Sequence, residues 1–549
     1  MLIDHNSLKQ ETTLNTDICV IGAGAGGIAL VKEMLSSNKE ILLMESGGTK
    51  YNSKLQEYYK GTVTHPDKHG ALDKYRRKVF GGTTSIWGGR CAPFDSIDFE
   101  HRDQIPYTGW PIERDEIIPY YIKAHEILDL GAFDYSNNAI EEKNRFFVEG
   151  FESNIFKDKI WRFSMPTDLG KKYFRDFKSA RNLKVVLGAE CYKLNATPQT
   201  NNIESADFLT HDGKKIHVIA QKYVLACGGL ENTRFLLGLC ENDNGSFFNI
   251  KNNLGKFYMS HLSGTYGHIK LLPSSRKGGW KFLKTKDGVY SKPRLLLKNE
   301  SLKKGELINI SFILDNHPPH RPEHKNSVLS SLYLAKIFFT GRIPPEYSKA
   351  LSSSGYSSLR MHLLNILKDP VLLITFHTDF IYKRFFKKRR IPGITLDSSV
   401  NEFFLHFDCE QSPCEHSTVK LNKNEKDKLG RPKLIIDWNY NERDVKSIIK
   451  SYELLKDELQ KTNIAEIDVD LNSLREYLNE NLSVGSHHIG TTKMATSDRD
   501  GVVDINCKVF GSSNLFISGP SVFPTAGCAN PVLTIVALAI RLAEYLKTE

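Results

Sequence analysis

The pattern of apolar and polar residues changes its period along the chain, and each change predicts a different element. Asp17 to Ile21 is a short apolar run typical of a buried strand. A glycine-rich turn follows, and then an apolar-periodic helix that extends to about Ser36. A second apolar run from Glu40 to Met44 predicts another strand, which ends in Glu45. This order of strand, glycine turn, helix and strand is typical of a unit that binds a dinucleotide.

Two later regions alternate apolar and polar residues with the period of strands. They extend from about Lys256 to Leu314 and from Glu402 to Trp438, and they predict an antiparallel sheet. From Asp444 to Lys461 the apolar residues instead recur at helical spacing, which predicts an amphipathic helix. The expected fold class is therefore α/β, and α+β over the whole chain.

Composition limits the class of protein. The chain has 549 residues, of which 40% are hydrophobic and 25% charged, so wholesale disorder, collagen and coiled coil are excluded. The nine cysteines are dispersed and form no Cys-x-x-Cys pair, which argues against a disulfide scaffold, a zinc knuckle or covalent haem. We identify no secretory signal and no run of about 18 apolar residues. A cytoplasmic protein is expected, with any membrane contact peripheral, at the inner face.

The formal charge of +10 is concentrated in one segment. Residues 331–395 contain eleven Lys or Arg against three Asp or Glu, and the densest part is Lys383 to Arg390. Apolar patches at Leu332 to Phe339 and Val371 to Phe376 accompany these bases. This combination suits an interfacial helix on an anionic membrane, or the recognition of a lipid-linked or large anionic substrate. A solvated surface insertion explains the same pattern, and no nucleic-acid partner is expected.

The first glycine turn has the residues that a pyrophosphate requires. Gly22, Gly24 and Gly27 let the backbone turn tightly and approach the phosphates, while the helix N-terminus supplies free amides. Glu45, about twenty residues further on, is placed to accept hydrogen bonds from a ribose. This motif alone does not distinguish NAD from FAD.

A second glycine-rich stretch extends from Lys78 to Arg90. It is too rich in flexible residues for an ordinary strand or helix. It is either a surface loop or a segment whose backbone passes close to a flat ligand, with Trp87 beside it.

Several motifs in order carry a family resemblance. The sequence resembles the glucose-methanol-choline (GMC) flavoprotein oxidoreductases, and within them the bacterial branch that reads W-G-G-R in the second glycine motif. The matching segments are Trp87 to Arg90, Gly109 to Ile112, Lys222 to Arg234, Asn253 to His261, Glu410 to Leu421 and the block from Ser486 onward.

The resemblance implies a discontinuous Rossmann-like FAD-binding domain and an antiparallel-sheet substrate domain with a helical basic insertion. The first would comprise residues 1–255, with the glycine motif at 78–112. The second would comprise 256–480, with the insertion at 331–395, and residues 481–549 would return to the first and carry the active site. The nucleotide-binding sheet would add strands near Leu183 to Leu187, Tyr223 to Ala226 and Leu515 to Ser518.

The resemblance also implies which residues contact FAD. Cys191 would face the adenine, and the flavin would be lined by Gly82, Thr83, Trp87 and Gly88. Further cofactor contacts are assigned to Ala226, Gly519, Ser521 and Pro531. Glycine at 519 departs from the aspartate that many relatives have there. No histidine occurs from Gly70 to Glu100, where covalent members attach the flavin, so non-covalent FAD is expected.

Oxidation of an alcohol requires a base for the hydroxyl proton and an acceptor, flavin N5, for the carbon-bound hydride. Histidine suits the first task because its pKa lies near neutrality. Aligned on the family's H-x-x-G-T pattern, the base is His487, and the residue opposite is Asn530. Asn530 and Pro531 also read as the N-cap and first residue of a helix whose positive end would face the flavin. His488 is assigned no direct chemistry, and no metal site is expected.

These inferences predict an FAD-dependent alcohol dehydrogenase or oxidase that acts on a small-molecule or glycan alcohol, such as a sugar, polyol or glycosylated compound. An NAD-dependent Rossmann dehydrogenase and a non-catalytic, membrane-associated flavin-binding protein stay open as alternatives. The sequence does not distinguish oxygen, a quinone or a redox protein as electron acceptor, and it leaves substrate identity and oligomeric state open.

Overall fold

The computed structural model describes residues 2–3, 9–142, 145–197, 202–241, 249–275, 278–338, 357–398 and 400–549. The strands in these ranges are β1 Leu2–Ile3, β2 Glu11–Ile21, β3 Ile41–Glu45, β4 Thr62–Val63, β5 Arg90–Cys91, β6 Phe156–Phe163, β7 Leu183–Leu187, β8 Ala189–Ala196, β9 Ile203–Thr210, β10 Lys215–Leu225, β11 Leu262–Leu271, β12 Leu283–Lys284, β13 Tyr290–Leu297, β14 Ile310–Asp315, β15 Glu402–Cys409, β16 Thr418–Lys426, β17 Pro432–Asp437, β18 Ala465–Asp468 and β19 Leu515–Ile517.

The α-helices in the same ranges are α1 Ala25–Met34, α2 Ser53–Gln56, α3 Ser96–Phe99, α4 Arg114–Ile127, α5 Leu169–Ser179, α6 Gly229–Glu241, α7 Asn299–Lys304, α8 Ser327–Phe338, α9 Ser357–Lys368, α10 Pro370–Ile381, α11 Glu442–Thr462, α12 Leu471–Asn481 and α13 Val532–Thr548. The amphipathic helix expected at Asp444 to Lys461 is confirmed as α11.

The first sheet is the one predicted from the N-terminal pattern. Its order is β1-β7-β3-β2-β10-β9-β8, with β19 paired in parallel to β10. The strands β1, β7, β3, β2 and β10 are parallel, and β9 and β8 extend the sheet as an antiparallel edge. Ile18 to Ile21 at the end of β2 are fully buried, as expected for a strand covered on both faces. The strands predicted near 183, 223 and 515 are therefore confirmed as members of this sheet.

The second sheet is antiparallel, as the alternating pattern predicts. Its order is β18-β11-β15-β14-β13-β6-β5, with β12 paired to β13. The sequence-based boundary at residue 255 differs from this pairing in one respect, because β5 and β6 come from the segment before it. A second difference is that β16 and β17 form a separate three-stranded sheet with β4 instead of joining the second sheet. These two strands lie inside the alternating pattern, which does not specify the partner strand.

The basic insertion lies in the chain between β14 and β15 of the second sheet, and its helices α8 to α10 pack on one another. Phe339 and the following residues to 356 lie outside the described residues, so the predicted apolar patch is described only as far as Phe338. Its helix α8 buries Val328, Leu329 and Tyr333. Across the parts of the chain that the structure describes, none of the helices combines the length and apolarity that a bilayer crossing would need.

Candidate active site

One cavity of about 590 Å³ joins the two groups of residues that the sequence singles out. One end is lined by Gly22, Glu45 and Cys191, and the other by His487 and Asn530. Its volume lies within the range of roughly 300 to 1,000 Å³ that is usual for small-molecule and cofactor sites. The cavity therefore extends from the glycine turn of the first sheet to the histidines of the C-terminal segment.

Of the residues predicted to bind the cofactor, eleven line this cavity: Gly22, Gly24, Glu45, Gly82, Thr83, Trp87, Gly88, Cys191, Ala226, Gly519 and Pro531. Gly27 and Ser521 do not. A Cβ on Gly27 would lie 2.0 Å from the carbonyl oxygen of Gly22, so this glycine serves helix–strand packing. Ser521 is fully buried, and its hydroxyl has no partner within the described residues.

The first glycine turn is shaped by backbone approach and by one carboxylate. Gly22 has φ +107°, and a Cβ there would lie 2.6 Å from the carbonyl oxygen of Ala226. A Cβ on Gly24 would instead meet nothing within 4 Å, which leaves the start of α1 open to the cavity. Glu45 accepts hydrogen bonds from the amides of Ala23 at 2.8 Å and Gly47 at 2.7 Å. Burial raises the pKa of Glu45.

A buried ion cluster beside Cys191 was not predicted from the sequence. Glu190 accepts hydrogen bonds from Lys78 Nζ at 2.7 Å and from Arg431 Nη2 at 2.9 Å. Burial alone would raise the pKa of Glu190, but the two cations lower it to about 2. Arg431 Nη1 also donates to the carbonyl oxygen of Cys191 at 2.6 Å, which fixes the backbone at the end of the cavity.

The second glycine stretch forms a wall of the cavity and is not a free surface loop. Gly82–Ser85 is a short 3₁₀ turn, and Trp87 Nε1 donates to the carbonyl oxygen of Thr167 at 2.8 Å. This bond holds the indole of Trp87 beside the cavity. A Cβ on Gly88 would meet nothing within 4 Å.

At the other end, three polar side chains from separate segments meet. His487 Nε2 lies 3.2 Å from Asn530 Nδ2, and His487 Nδ1 lies 2.6 Å from His261 Nδ1. The rings of His487 and His261 meet edge to face. His261 ends the segment Asn253 to His261, which is part of the family resemblance, but that motif alone assigns His261 no role.

The partners of His261 determine the tautomer of His487. His261 Nε2 lies 3.2 Å from the carbonyl oxygen of Ala526, which can only accept, so this nitrogen carries the hydrogen. Burial lowers the pKa of His261, which favours a neutral ring with a bare Nδ1. His487 Nδ1–H must then donate to His261 Nδ1, and His487 Nε2 is left with a free lone pair. The donor Nδ2 of Asn530 faces this nitrogen, in agreement with the assignment.

Electrostatics also keep His487 in the form of a base. Burial lowers its pKa well below the ordinary histidine value, and His261 and Arg90 add to that effect. His488 has a different environment, because it stacks on Tyr258 at 6.2 Å between ring centroids. Its ring is thus held by an aromatic contact, and no hydrogen bond joins it to Asn530.

The helix after Asn530 begins later than expected. It starts at Val532, with Pro531 at the cap position, and no side chain caps it. The predicted N-cap role of Asn530 is therefore wrong. The side-chain amide of Asn530 contacts His487 instead, so a position that reads as a cap is used in the cavity.

A charged group next to the histidines was also missed by the sequence analysis. Arg90, Ser263 and Asp408 line the same cavity. Asp408 accepts hydrogen bonds from Arg90 at 2.9 Å, from Arg294 at 2.7 Å and from Ser263 at 2.8 Å. Burial alone would raise the pKa of Asp408, but the two arginines hold this pKa well below its usual range. Two cations against one carboxylate leave this wall positively charged.

Buried polar atoms without partners lie beside the glycine turn. They are Ser518 Oγ and Asn232 Nδ2. A Cβ on Gly26 in α1 would lie 2.7 Å from Ser518 Oγ, and one on Gly519 would lie 3.1 Å from Asn232 Nδ2. Ser518 Oγ, whose residue lines the cavity, therefore lies unused beside α1, and Asn232 Nδ2 lies unused beside Gly519. Within the described ranges, no group of three or more His, Cys, Asp or Glu side chains is arranged to hold a metal ion.

Comparison with known proteins agrees with this arrangement. Residues 413–539 match the family model of the GMC oxidoreductases. The chain is 20% identical to 2-methyl-1,2-propanediol dehydrogenase of Mycolicibacterium austroafricanum, over 97% of this chain and 95% of that one. It is 21% identical to the fructose dehydrogenase large subunit of Gluconobacter japonicus, over 97% and 98%. The structure of formate oxidase superposes with a TM-score of 0.54 at 14% identity, over 98% and 99%.

The two sheets and the cavity that joins a glycine turn to a histidine site are the arrangement of an α/β oxidoreductase. More specifically, residues 413–539 match the model of the GMC oxidoreductases, a family that is FAD-dependent. The curated relatives are dehydrogenases and oxidases of this family.

Proposed function

We propose that this protein is an FAD-dependent oxidoreductase that oxidises a CH–OH group of a sugar, polyol or glycosylated compound to a carbonyl. The observation that carries the proposal is the single cavity that extends from Glu45 and the start of α1 to His487 and Asn530. A dinucleotide extended along it would bring its reactive end to the histidine. The match of residues 413–539 to the GMC oxidoreductase model favours FAD over NAD.

The residues present fit FAD. The open space at Gly24, the free amides at the start of α1 and the unused Ser518 Oγ suit a pyrophosphate. Glu45 would bind the ribose and the backbone near Cys191 the adenine. The residues that would line the flavin are Gly82, Thr83, Trp87 and Gly88. We expect the binding to be non-covalent.

The protein's own part in the reaction is to hold and remove a proton. When bound, FAD supplies at flavin N5 the acceptor for the hydride from the alcohol carbon. His487 Nε2 accepts the hydroxyl proton, and Asn530 Nδ2 donates to the same oxygen, so a C=O bond replaces the C–H and O–H bonds. The start of α13 at Val532 lies on the cavity, where its partial positive charge favours negative charge.

The walls near the histidines favour a substrate with several hydroxyl groups. Ser263, Arg90 and Asp408 supply donors and acceptors beside His487. Hydroxyl groups away from the reacting carbon can bind to such fixed polar groups, which orients the substrate. The relatives named for fructose and for a diol agree with this class of substrate.

The cofactor proposal is tested by the visible spectrum of the purified protein, repeated on the supernatant after acid precipitation. We expect flavin bands that pass entirely into the supernatant. The matched variant is Gly24→Val, whose side chain would enter open space without meeting protein atoms within 4 Å of its Cβ. It should fold but lose most of the flavin. A colourless wild type that also fails to bind added FAD would contradict the proposal.

The tautomer argument predicts a role for His261. In His261→Leu no acceptor faces His487 Nδ1, so the proton can move to Nε2 and block the base. The anaerobic rate of flavin reduction by a substrate should fall on the order of 10- to 100-fold, the range seen when an outer partner that orients an imidazole is removed. The dissociation constant of the substrate should change much less.

His261→Gln is the matched control, because its side-chain oxygen can accept the hydrogen bond from His487 Nδ1. It should restore most of the rate, which a purely structural role of the ring would not predict. Equal losses in the Leu and Gln variants would contradict the tautomer argument.

A further inference from the structure

Helices α9 and α10 present an apolar surface that the described part of the chain leaves uncovered. α10 continues through a π-helical turn at Tyr382–Phe386. Leu367, Val371 and Phe386 are 75%, 70% and 75% exposed, which is unusual for side chains of this size. The exposed apolar side chains of this segment are Met361, Leu363, Leu364, Leu367, Val371, Leu372, Ile374, Ile381, Tyr382, Phe385 and Phe386.

The opposite side of the same helices is already packed. Leu373 and Phe376 contact the small buried cluster of Val328, Leu329 and Leu396. Hydrogen bonds between Ser330 and His362 and between Ser331 and His377, both 3.0 Å long, also hold the helices in place. These helices therefore have two apolar faces. The inner face packs against the protein, and the outer face is exposed.

The apolar residues of α10 recur on the exposed side at helical spacing. The stripe begins at Val371 and continues three, ten and fourteen positions later with Ile374, Ile381 and Phe385. A helix that is apolar on its inner and outer sides requires a second apolar environment. At 12 residues each, α9 and α10 are far shorter than the roughly 20 residues of a membrane span, so this environment would be contacted along the helix.

The bases at the end of the stripe indicate the chemistry of the partner. Lys387, Lys388, Arg389 and Arg390 follow Phe386 directly. No described carboxylate forms an ion pair with them, whereas Lys383 is paired with Asp379 at 2.8 Å. An apolar stripe that ends in unpaired cations is complementary to an anionic lipid surface, with acyl chains for the aromatic residues and head groups for the bases.

We propose that the α9–α10 surface, residues 361–390, docks this enzyme in the plane of an anionic lipid bilayer. The helices lie on the membrane, with Val371, Ile374 and Phe385 in the acyl boundary and the bases of 387–390 on the head groups. This narrows the sequence-based hypothesis, because the described part of the other apolar patch, in α8, is packed against the protein. None of the described insertion residues lines the cavity, so docking leaves the catalytic residues in place.

Co-sedimentation of the full-length protein with vesicles tests the proposal. The probe is phosphatidylcholine vesicles with about 30% phosphatidylserine, compared with pure phosphatidylcholine. Wild type should bind the anionic vesicles and lose binding at high salt. Replacing Lys387, Lys388, Arg389 and Arg390 with serine should weaken binding on the order of 100-fold, because each base near a charged surface contributes several-fold.

Two further variants complete the design. Phe385→Ser with Phe386→Ser should also weaken binding, because the side chains that insert are removed, whereas Lys423→Ser with Lys426→Ser changes two exposed bases elsewhere and should bind as wild type. Circular dichroism and thermal unfolding check that each variant is folded. Failure of the wild type to bind anionic vesicles would overturn the proposal. Binding as strong as that of the wild type by the variant without the four bases, or by the Phe385 and Phe386 variant, would also overturn it. An acidic protein partner would produce the first of these results.

Discussion

Replacing His487 with alanine is expected to slow anaerobic flavin reduction by an alcohol substrate roughly 100- to 10,000-fold, the usual contribution of a general base. The reason is geometric: Nε2 carries the only lone pair of the His487–His261 pair that faces Asn530. The bound flavin should keep its visible spectrum. The rate is measured by stopped-flow bleaching of the flavin bands.

The neighbouring His488 supplies the matched control. It lines the same cavity but is held by stacking on Tyr258. His488→Gln should lose less than about tenfold, since no proton transfer depends on it. Because burial lowers the pKa of His487, the base stays neutral at pH values below the ordinary histidine pKa. The acid limb of the pH–rate profile should therefore lie below that pKa as well. Equal losses in both variants, or an unchanged rate in His487→Ala, would remove the mechanism.

The second large effect is expected on stability, at a buried ion pair that joins the segment after α3 to the second sheet. Arg102 follows α3 and donates two hydrogen bonds to Glu410, at 2.9 Å and 2.5 Å, just after β15. Glu410 is fully buried. Arg102→Met would leave the buried carboxylate of Glu410 without a cation. It should lower the free energy of unfolding by about 3 to 5 kcal/mol. Urea unfolding with FAD at a fixed concentration measures the change.

The control for this pair is the double variant Arg102→Met with Glu410→Leu. Removing both charges leaves no uncompensated ion, so most of the stability should return. The amide of Asn309, which donates to Glu410 at 3.1 Å, would lose its acceptor and prevent full recovery. A single variant as stable as wild type would show that the buried pair contributes little.

Local sequence patterns predicted β2, β3 and the glycine turn well, whereas β7, β10 and β19 were expected from the family resemblance. Strands β2 and β3 and helix α1 are adjacent in the chain, and their periods and glycines specify them with little help from distant contacts. The antiparallel character of the second sheet was likewise predictable. Its membership was not, because β5 and β6 are separated in sequence from the strands that they join, and alternation does not identify a partner.

The candidate site was predictable only in part, for a similar reason. His487 and Asn530 were found by family pattern, but the partner that fixes the tautomer lies 226 positions away from His487. Asp408 and Arg294 lie in strands whose pattern suggests only a buried face. Asn530 before proline favoured a helix cap because that local role is common, and the contact with His487 depends on tertiary structure.

The order of strands in the first sheet has a consequence for synthesis on the ribosome. β19, at residues 515–517, pairs with β10, and α13 packs on α1 near the N-terminus. The nascent chain therefore cannot complete the fold around the glycine turn until residues 515–548 have left the exit tunnel. The early apolar strands lack these partners during that interval, and exposed strands of this kind are prone to aggregation.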